Sequence, residues 1–321
     1  MALRSLPSAL LRGGLSSALR SHAQPRVPAL RPCRALATAS ASDSPAAVYV
    51  VFGATGGIGA ELSRLLHASG GNVVLVGRSA EKLDALAASL PGAHATRCAN
   101  AAAAGEADAA IAGAMERYGR VDGVANCIGS VVLKAAHMTS DVELAAVMET
   151  NLGTSFSILR ASVKAMTRAG AKGGSVVLCS SAVARFGLPN HEAIAAAKGA
   201  VAGLALSAAA TYAPQNVRVN VVSPGLVRTS AVAGCLVLLA RLHEVQTHDA
   251  SRLSQTRTPM TTRITGNEAA LKASVEMHAL KRIGEPGDSA RAIAFLLDPA
   301  NSFITGQNLG VDGGLGSLKP R

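Results

Sequence analysis

Short apolar runs closed by glycine or a polar turn alternate along this chain with stretches whose apolar residues recur at helical spacing. Ala47-Val48-Tyr49-Val50-Val51-Phe52 carries no charged residue, the pattern of a parallel strand buried on both faces. Gly57 to Ser69 places Ile58, Leu62, Leu65 and Leu66 on one side of a helix and stops at Gly70-Gly71. A strand over Asn72–Val76 and a helix over Glu81–Leu90 complete a first β-α-β unit. The rhythm then predicts a strand near Ala93–Arg97, a helix ending at Tyr118, a strand over Val121–Asn126 and a long helix from about Asp141 to Ala169. A strand over Ser175–Cys179, a helix over Glu192–Tyr212 and a strand over Val217–Val222 follow. Such alternation predicts an α/β protein with one doubly wound parallel sheet flanked by helices.

One stretch breaks the rhythm. Residues 230–258 hold Cys235-Leu236-Val237-Leu238-Leu239 and then a polar run without helix or strand caps. A structureless insertion of that length is unusual inside a domain. Arg228-Thr229 recurs as Arg257-Thr258 before Pro259, and joining the first copy to Pro259 restores a smooth reading. Two explanations stand side by side, a substrate lid and a splicing or gene-model artefact. The domain otherwise spans 47–316, followed by a short tail at 317–321.

Composition narrows the core. The chain has 321 residues, 49% hydrophobic but only 2% aromatic, with no tryptophan. Its interior must be built from Ala, Val, Leu and Ile, which suits close packing of helices on parallel strands. The net charge of +11 would suggest nucleic acid, yet Arg4, Arg12, Arg20, Arg26, Arg31 and Arg34 face only Asp43 in the opening segment. No basic patch interleaved with aromatics follows, so no nucleic-acid partner is expected. Residues 1–46, Arg-, Ala- and Ser-rich with Leu3, Leu6, Leu10 and Leu11 on one helical side, have the composition of an organellar transit peptide. The expected destination is the mitochondrial matrix, with the plastid as the alternative. The apolar run Ala231–Ala240 is too short to span a bilayer, so no membrane partner is expected. Cys33, Cys98, Cys127, Cys179 and Cys235 form no CxxC pair and have no histidine at metal spacing, which fits reduced thiols rather than a disulfide framework or metal site.

The chemistry begins at Gly53-Ala54-Thr55-Gly56-Gly57-Ile58-Gly59, between the first strand and the first helix. Glycines there permit a tight turn and close approach of backbone to a pyrophosphate, and the helix N-terminus supplies free N–H groups. Gly53, Thr55, Gly57, Ile58 and Gly59 are therefore expected cofactor contacts. The second strand ends Leu75-Val76-Gly77-Arg78-Ser79. No acid stands there to accept from ribose hydroxyls, whereas the Arg78 guanidinium suits a 2′-phosphate, which predicts NADP over NAD.

Further motifs in order resemble the short-chain dehydrogenase/reductase family over roughly Val48 to Leu315, apart from the insertion. The glycine loop is similar to that family's TGxxxGxG motif with Phe52 in the threonine position, and Asn126-Cys127-Ile128-Gly129 resembles its NNAG motif. Asn151, Ser181 and Lys198 match three members of the family's catalytic tetrad. Ser223-Pro224-Gly225 with Val227 and Thr229 resembles the loop that holds the nicotinamide carboxamide. Ile304 to Gly314 resembles the closing strand. The resemblance implies a single Rossmann-type sheet, hydride transfer with a nicotinamide cofactor, and cofactor contacts at Asn126, Lys198, Pro224, Val227 and Thr229 as well. It also implies a homodimer or homotetramer, paired through the Asn151 helix and the alanine-rich helix of Lys198.

The departures concern the proton. The family's tyrosine donates to the carbonyl oxygen as hydride arrives, and the residue four before Lys198 is Ile194, which has no ionisable group. Tyr49, Tyr118 and Tyr212 lie elsewhere in the pattern. The adenine-side acid after the third strand is absent too, with Ala99-Asn100 in its place. His191 remains three residues before Ile194, and imidazole changes charge near neutrality. It is the candidate donor, with capping of the helix start as the structural alternative. The expected function is NADP-dependent oxidoreduction of a small organic substrate, with Ser181, Lys198, Asn151 and His191 catalytic and the proton from His191 or water. The alternative is a catalytically silent NADP-binding structural or redox-sensing protein.

Overall fold

The computed structural model describes residues 46–92, 94–228 and 268–318. The segment 1–45, Thr229, the stretch 230–258 and the last three residues of the tail lie outside the described residues. Seven parallel strands form one sheet in the order β3-β2-β1-β4-β5-β6-β7. Strand β1 is Val48–Phe52, β2 Asn72–Gly77, β3 Ala95–Cys98, β4 Gly123–Asn126, β5 Gly174–Cys179, β6 Val217–Pro224 and β7 Asn308–Val311. The helices are α1 Gly57–Ala68, α2 Ala80–Ala88, α3 Glu106–Tyr118, α4 Asp141–Met148, α5 Thr154–Met166, α6 Glu192–Tyr212, α7 Glu268–Met277 and α8 Pro286–Leu297.

The apolar run of β1 is buried at every position because the sheet is covered on both sides. Alternate residues face opposite ways. Val50 and Phe52 join a core with α3, α5 and α6, including Ile111, Ile158, Met166 and Val201. Tyr49 and Val51 join a second core with α1, α2 and α8, including Leu62, Leu83, Ile293 and Leu296. Helix α6 is long and apolar enough to cross a membrane, with mean hydropathy 1.6 in its best window. It lies instead on the sheet, burying Ile194, Ala197, Val201 and Ala205.

The long helix expected over 141–169 is divided. A capping box between Ser140 and Glu143 starts α4, a π-helical turn at Glu149–Gly153 follows, and α5 ends at Met166. Hydrophobic spacing continues through the extra residue of a π turn, so the pattern conceals it. Helices α7 and α8 extend the architecture beyond the alternation read from sequence, α8 opening with Pro286 at its first turn.

Candidate active site

Strand order reverses between β1 and β4, and the crevice outside their carboxyl ends is where a doubly wound sheet binds ligand. Gly53 leaves β1 at φ +75°, and a Cβ there would lie 2.9 Å from the carbonyl carbon of Cys127. A Cβ on Gly59 would lie 2.2 Å from the Gly53 oxygen, so α1 reaches the turn only because both positions are bare. The Gly53 and Ala54 amides donate to the Val76 carbonyl at 2.9 and 3.0 Å, tying the turn to β2. Gly56 caps α1 without a side chain, and the amides of Thr55, Gly57, Ile58 and Gly59 find no acceptor among the described residues. Arg78 is exposed at the end of β2, and its guanidinium has no hydrogen bond or ion pair among the described residues. A cradle that a Cβ would fill, free helix-start amides and an unpaired cation fit a phosphate-bearing dinucleotide.

Asn126 is 1% exposed, and both ends of its amide are engaged within the protein. Its nitrogen donates to Ser155 Oγ at 3.0 Å and its oxygen accepts from the Ile128 amide at 3.0 Å. It therefore shapes the cradle from behind. Ser155 Oγ in turn donates to the Asn151 carbonyl at 2.6 Å, linking β4 to the π turn.

That turn places Asn151 in the interior, 0% exposed. Its side-chain nitrogen donates to the Val147 carbonyl at 2.9 Å and faces the Ser130 carbonyl and hydroxyl, and its oxygen accepts from the Ser130 amide at 3.2 Å. Lys198, 6% exposed, projects from α6 and donates from Nζ to the Cys179 carbonyl at 2.8 Å. A Cβ on Gly129 would lie 3.3 Å from Asn151 Oδ1 and 3.4 Å from Lys198 Nζ, so the two side chains converge on one bare backbone position. Burial lowers the Lys198 pKa from its ordinary 10.5, opposed by the Cys179 and Cys127 thiols. Ser180 Oγ donates to the Lys198 carbonyl at 2.7 Å, fastening β5 to α6. Ser181 beside it is partly exposed, and its hydroxyl accepts from the Val183 amide at 3.4 Å, its proton finding no acceptor among the described residues.

Ile194 sits one helical turn before Lys198, 4% exposed. It packs with Val147, Ala193 and Ala197, flanked by Val131 and Val183. An apolar wall occupies the position where the family's phenol is expected. Tyr49 is in the core beneath the sheet, Tyr118 ends α3, and Tyr212 stands 14 residues beyond Lys198, roughly 21 Å along the helix. His191 precedes α6 without capping it through its side chain. Its Nδ1 lies 2.7 Å from the Pro189 carbonyl, an acceptor, which places the proton on Nδ1 and leaves Nε2 for other partners. Pro224 closes β6, and Val227, 7% exposed, bridges to Gly284. Thr229 lies outside the described residues. A cavity of about 150 Å³ lined by Ala182, Arg185, Ser223 and Asp312 adjoins the Ser181 side. A more open space of about 620 Å³ lies between Arg228, Val275 and Arg291, and neither the glycine turn nor Lys198 lines it.

Sequence reasoning passed over Ser130, which meets Asn151, and the paired thiols of Cys127 and Cys179 beside Lys198. Their signal was positional: each cysteine follows directly on a strand that ends at the crevice or ends it, which cysteine spacing alone does not reveal.

Fold and crevice together define an α/β dinucleotide-binding protein. The family described as short chain dehydrogenase matches residues 47–235, and that described as Enoyl-(Acyl carrier protein) reductase matches residues 253–316. The chain belongs to the short-chain dehydrogenase family and is an oxidoreductase. It is similar to an uncharacterized oxidoreductase of Mycobacterium tuberculosis, 32% identical over 271 residues, 84% of this chain and 91% of that one. It is likewise similar to galactitol 2-dehydrogenase (L-tagatose-forming) of Cereibacter sphaeroides, 32% identical over 84% of this chain and 94% of that one. A solved short-chain type dehydrogenase/reductase from Mycobacterium ulcerans superposes with a TM-score of 0.71 at 27% identity, covering 84% of this chain and 90% of that one.

Proposed function

We propose that the protein is an NADP-dependent oxidoreductase acting on a small organic substrate, with the proton taken from a source other than a tyrosine. The unpaired Arg78 at the end of β2 carries the cofactor reading. Thr55, Gly57, Ile58 and Gly59 would receive the pyrophosphate on their amides, Arg78 the 2′-phosphate, and Lys198 the ribose hydroxyls. The bound nicotinamide supplies or accepts hydride. The chain's own residues position the substrate at Ser181 and exclude water with the Ile194 wall. Lys198, buried with Nζ donating to the Cys179 carbonyl, stands close to the reacting region. A ketone leaves an oxygen that must be protonated there, and Ile194 cannot do it. Reduction of a conjugated carbon–carbon double bond avoids that demand because carbon takes its proton from solvent, and the name of the family matching residues 253–316 supports this choice. For a substrate that needs an acid, His191 would act through Nε2.

Exposed Val142, Leu144 and Phe156 on α4 and α5 support a homodimer or homotetramer. The Arg-rich, acid-poor residues 1–46 support import into the mitochondrial matrix, with the plastid as the alternative.

Titration of the protein lacking residues 1–46 with NADPH and NADH, read by nucleotide fluorescence, tests the assignment. NADPH should bind more tightly, and Arg78→Glu should cost NADPH about 10- to 100-fold, the worth of one charge-assisted contact, while sparing NADH. Equal affinity of the two nucleotides in the unsubstituted protein would refute the NADP assignment. Turnover with ketones and enones then identifies the substrate class, and a rate unchanged by His191→Ala leaves water as the donor.

A further inference from the structure

Two cysteines that the reaction does not use lie side by side at the crevice. Asn126 of β4 pairs with Leu178 of β5 in parallel register, so Cys127 follows opposite Cys179. Both side chains lie on the α1 and α8 face, where Cys179 belongs to the core and Cys127 packs against it. Neither thiol is bridged, and Cys127 is partly exposed where Cys179 is 8% exposed. Strands of a sheet run about 4.8 Å apart, inside the Cα separation that a disulfide spans. The backbones of the pair hold the two halves of the proposed cofactor site. The Cys127 carbonyl carbon meets the glycine turn at Gly53, and the Cys179 carbonyl accepts from Lys198 Nζ.

We propose that Cys127 and Cys179 form an oxidisable dithiol whose conversion to a disulfide weakens nicotinamide-nucleotide binding. The oxidant is a hydroperoxide. One sulfur, as thiolate, attacks the O–O bond and becomes a sulfenic acid while the alkoxide leaves and takes the proton of that thiol. The second sulfur then displaces water from the first, losing its own proton. The balance is two thiols and one hydroperoxide giving one disulfide, one alcohol and one water. The two electrons lost by sulfur are those gained by the O–O bond. The environment favours the first ionisation, since a hydrogen bond from Cys127 lowers the Cys179 pKa, opposed by burial and helped by the Lys198 charge. Closing the sulfurs from hydrogen-bonding range to a bond of about 2.05 Å strains the two strand ends that carry the Gly53 contact and the Lys198 bond. The consequence for nucleotide binding rests on the cofactor reading above, whereas the thiol chemistry does not.

The full chain is reduced, treated with tert-butyl hydroperoxide, alkylated and mapped by peptide mass, with NADPH affinity measured before and after. A Cys127–Cys179 bridge should form ahead of any bridge to Cys33, Cys98 or Cys235, and NADPH affinity should fall about tenfold or more and return with dithiothreitol. Cys98→Ser should remain sensitive, and Cys179→Ser should be resistant. Should the buried serine prevent folding, Cys127→Ser at the more exposed position is the resistant variant. Free thiols at 127 and 179 after treatment overturn the proposal, as does a bridge that leaves NADPH affinity unchanged. A reduced protein that binds neither nucleotide refutes the cofactor reading separately, because the bridge is scored by mass.

Discussion

Gly59→Ala tests the cradle through one methyl group. Its Cβ would stand 2.2 Å from the Gly53 oxygen, 2.9 Å from the Gly53 carbonyl carbon and 3.0 Å from Ala54 Cα. All three are backbone atoms, so no side chain can swing aside. The start of α1 must therefore move about 1 Å from the turn to restore ordinary contact. Forced packing of this kind costs about 1–3 kcal/mol, and α1 cannot yield freely because Leu62 and Leu66 are locked in the core. At about 2–4 °C per kcal/mol for a domain of this size, the melting temperature should fall by roughly 2–12 °C. The same shift takes amides from hydrogen-bond to non-bonding distance of a pyrophosphate, so NADPH affinity should fall at least about tenfold. Gly113→Ala is the control. It lies exposed in α3 with nothing within 4 Å of the added carbon, so alanine should stabilise the protein by about 0.5–1 kcal/mol and leave NADPH affinity alone. Thermal melting and fluorescence titration read both variants. A Gly59→Ala protein with unchanged melting and affinity would show that α1 is not held against the turn as described.

Ile194→Tyr should raise ketone reductase activity above that of the unsubstituted protein, at a folding cost of about 1–3 kcal/mol for the larger ring in the Val147–Ala197 cluster. A folded variant without activity would show that Asn151, Ser181 and Lys198 are not poised around that position. Lys198→Met should stabilise the protein near neutral pH and weaken NADPH binding. The buried amine has a lowered pKa, so its cost is complete below the folded value and disappears as pH rises to the unfolded 10.5. The stability gap between the two proteins should thus close as pH rises toward 10.5, and a gap that widens refutes the burial argument. Glu143, hydrogen-bonded to Lys134 and to Ser140, has its pKa lowered from 4.5 to about 2. Its contribution is present above 4.5 and lost as pH falls through about 2, so the melting difference from Glu143→Gln should vanish over that window in low salt.

How much of this was legible in the sequence depends on what each feature needs. The strands showed because burial on both faces of a parallel sheet leaves an uninterrupted apolar run, and β1 and β5 fell within a residue of their expected limits. The glycine turn showed because its requirement is steric: Gly53 and Gly59 are bare where a neighbour's backbone passes, and that survives in a one-dimensional reading. The π turn at Glu149–Gly153 did not show, since hydrophobic spacing tolerates one extra residue. That the Asn126 amide meets Ser155 and the Ile128 backbone did not show either, because an asparagine's two ends give no sign of which neighbour they meet.

An isoleucine at position 194 beside an ordered Asn151 and Lys198 separates two properties of such a site, its geometry and its acid–base capacity. Asn151 and Lys198 keep their places through bonds to backbone: Val147 and Ser130 for one, Cys179 for the other. Neither bond involves position 194, so an isoleucine there leaves both side chains held. The site's geometry is a property of the sheet edge and the π turn, and it does not depend on an ionisable side chain at position 194. A substrate that takes its proton from solvent would need no acid at position 194, where isoleucine is well packed among Val147, Ala193 and Ala197.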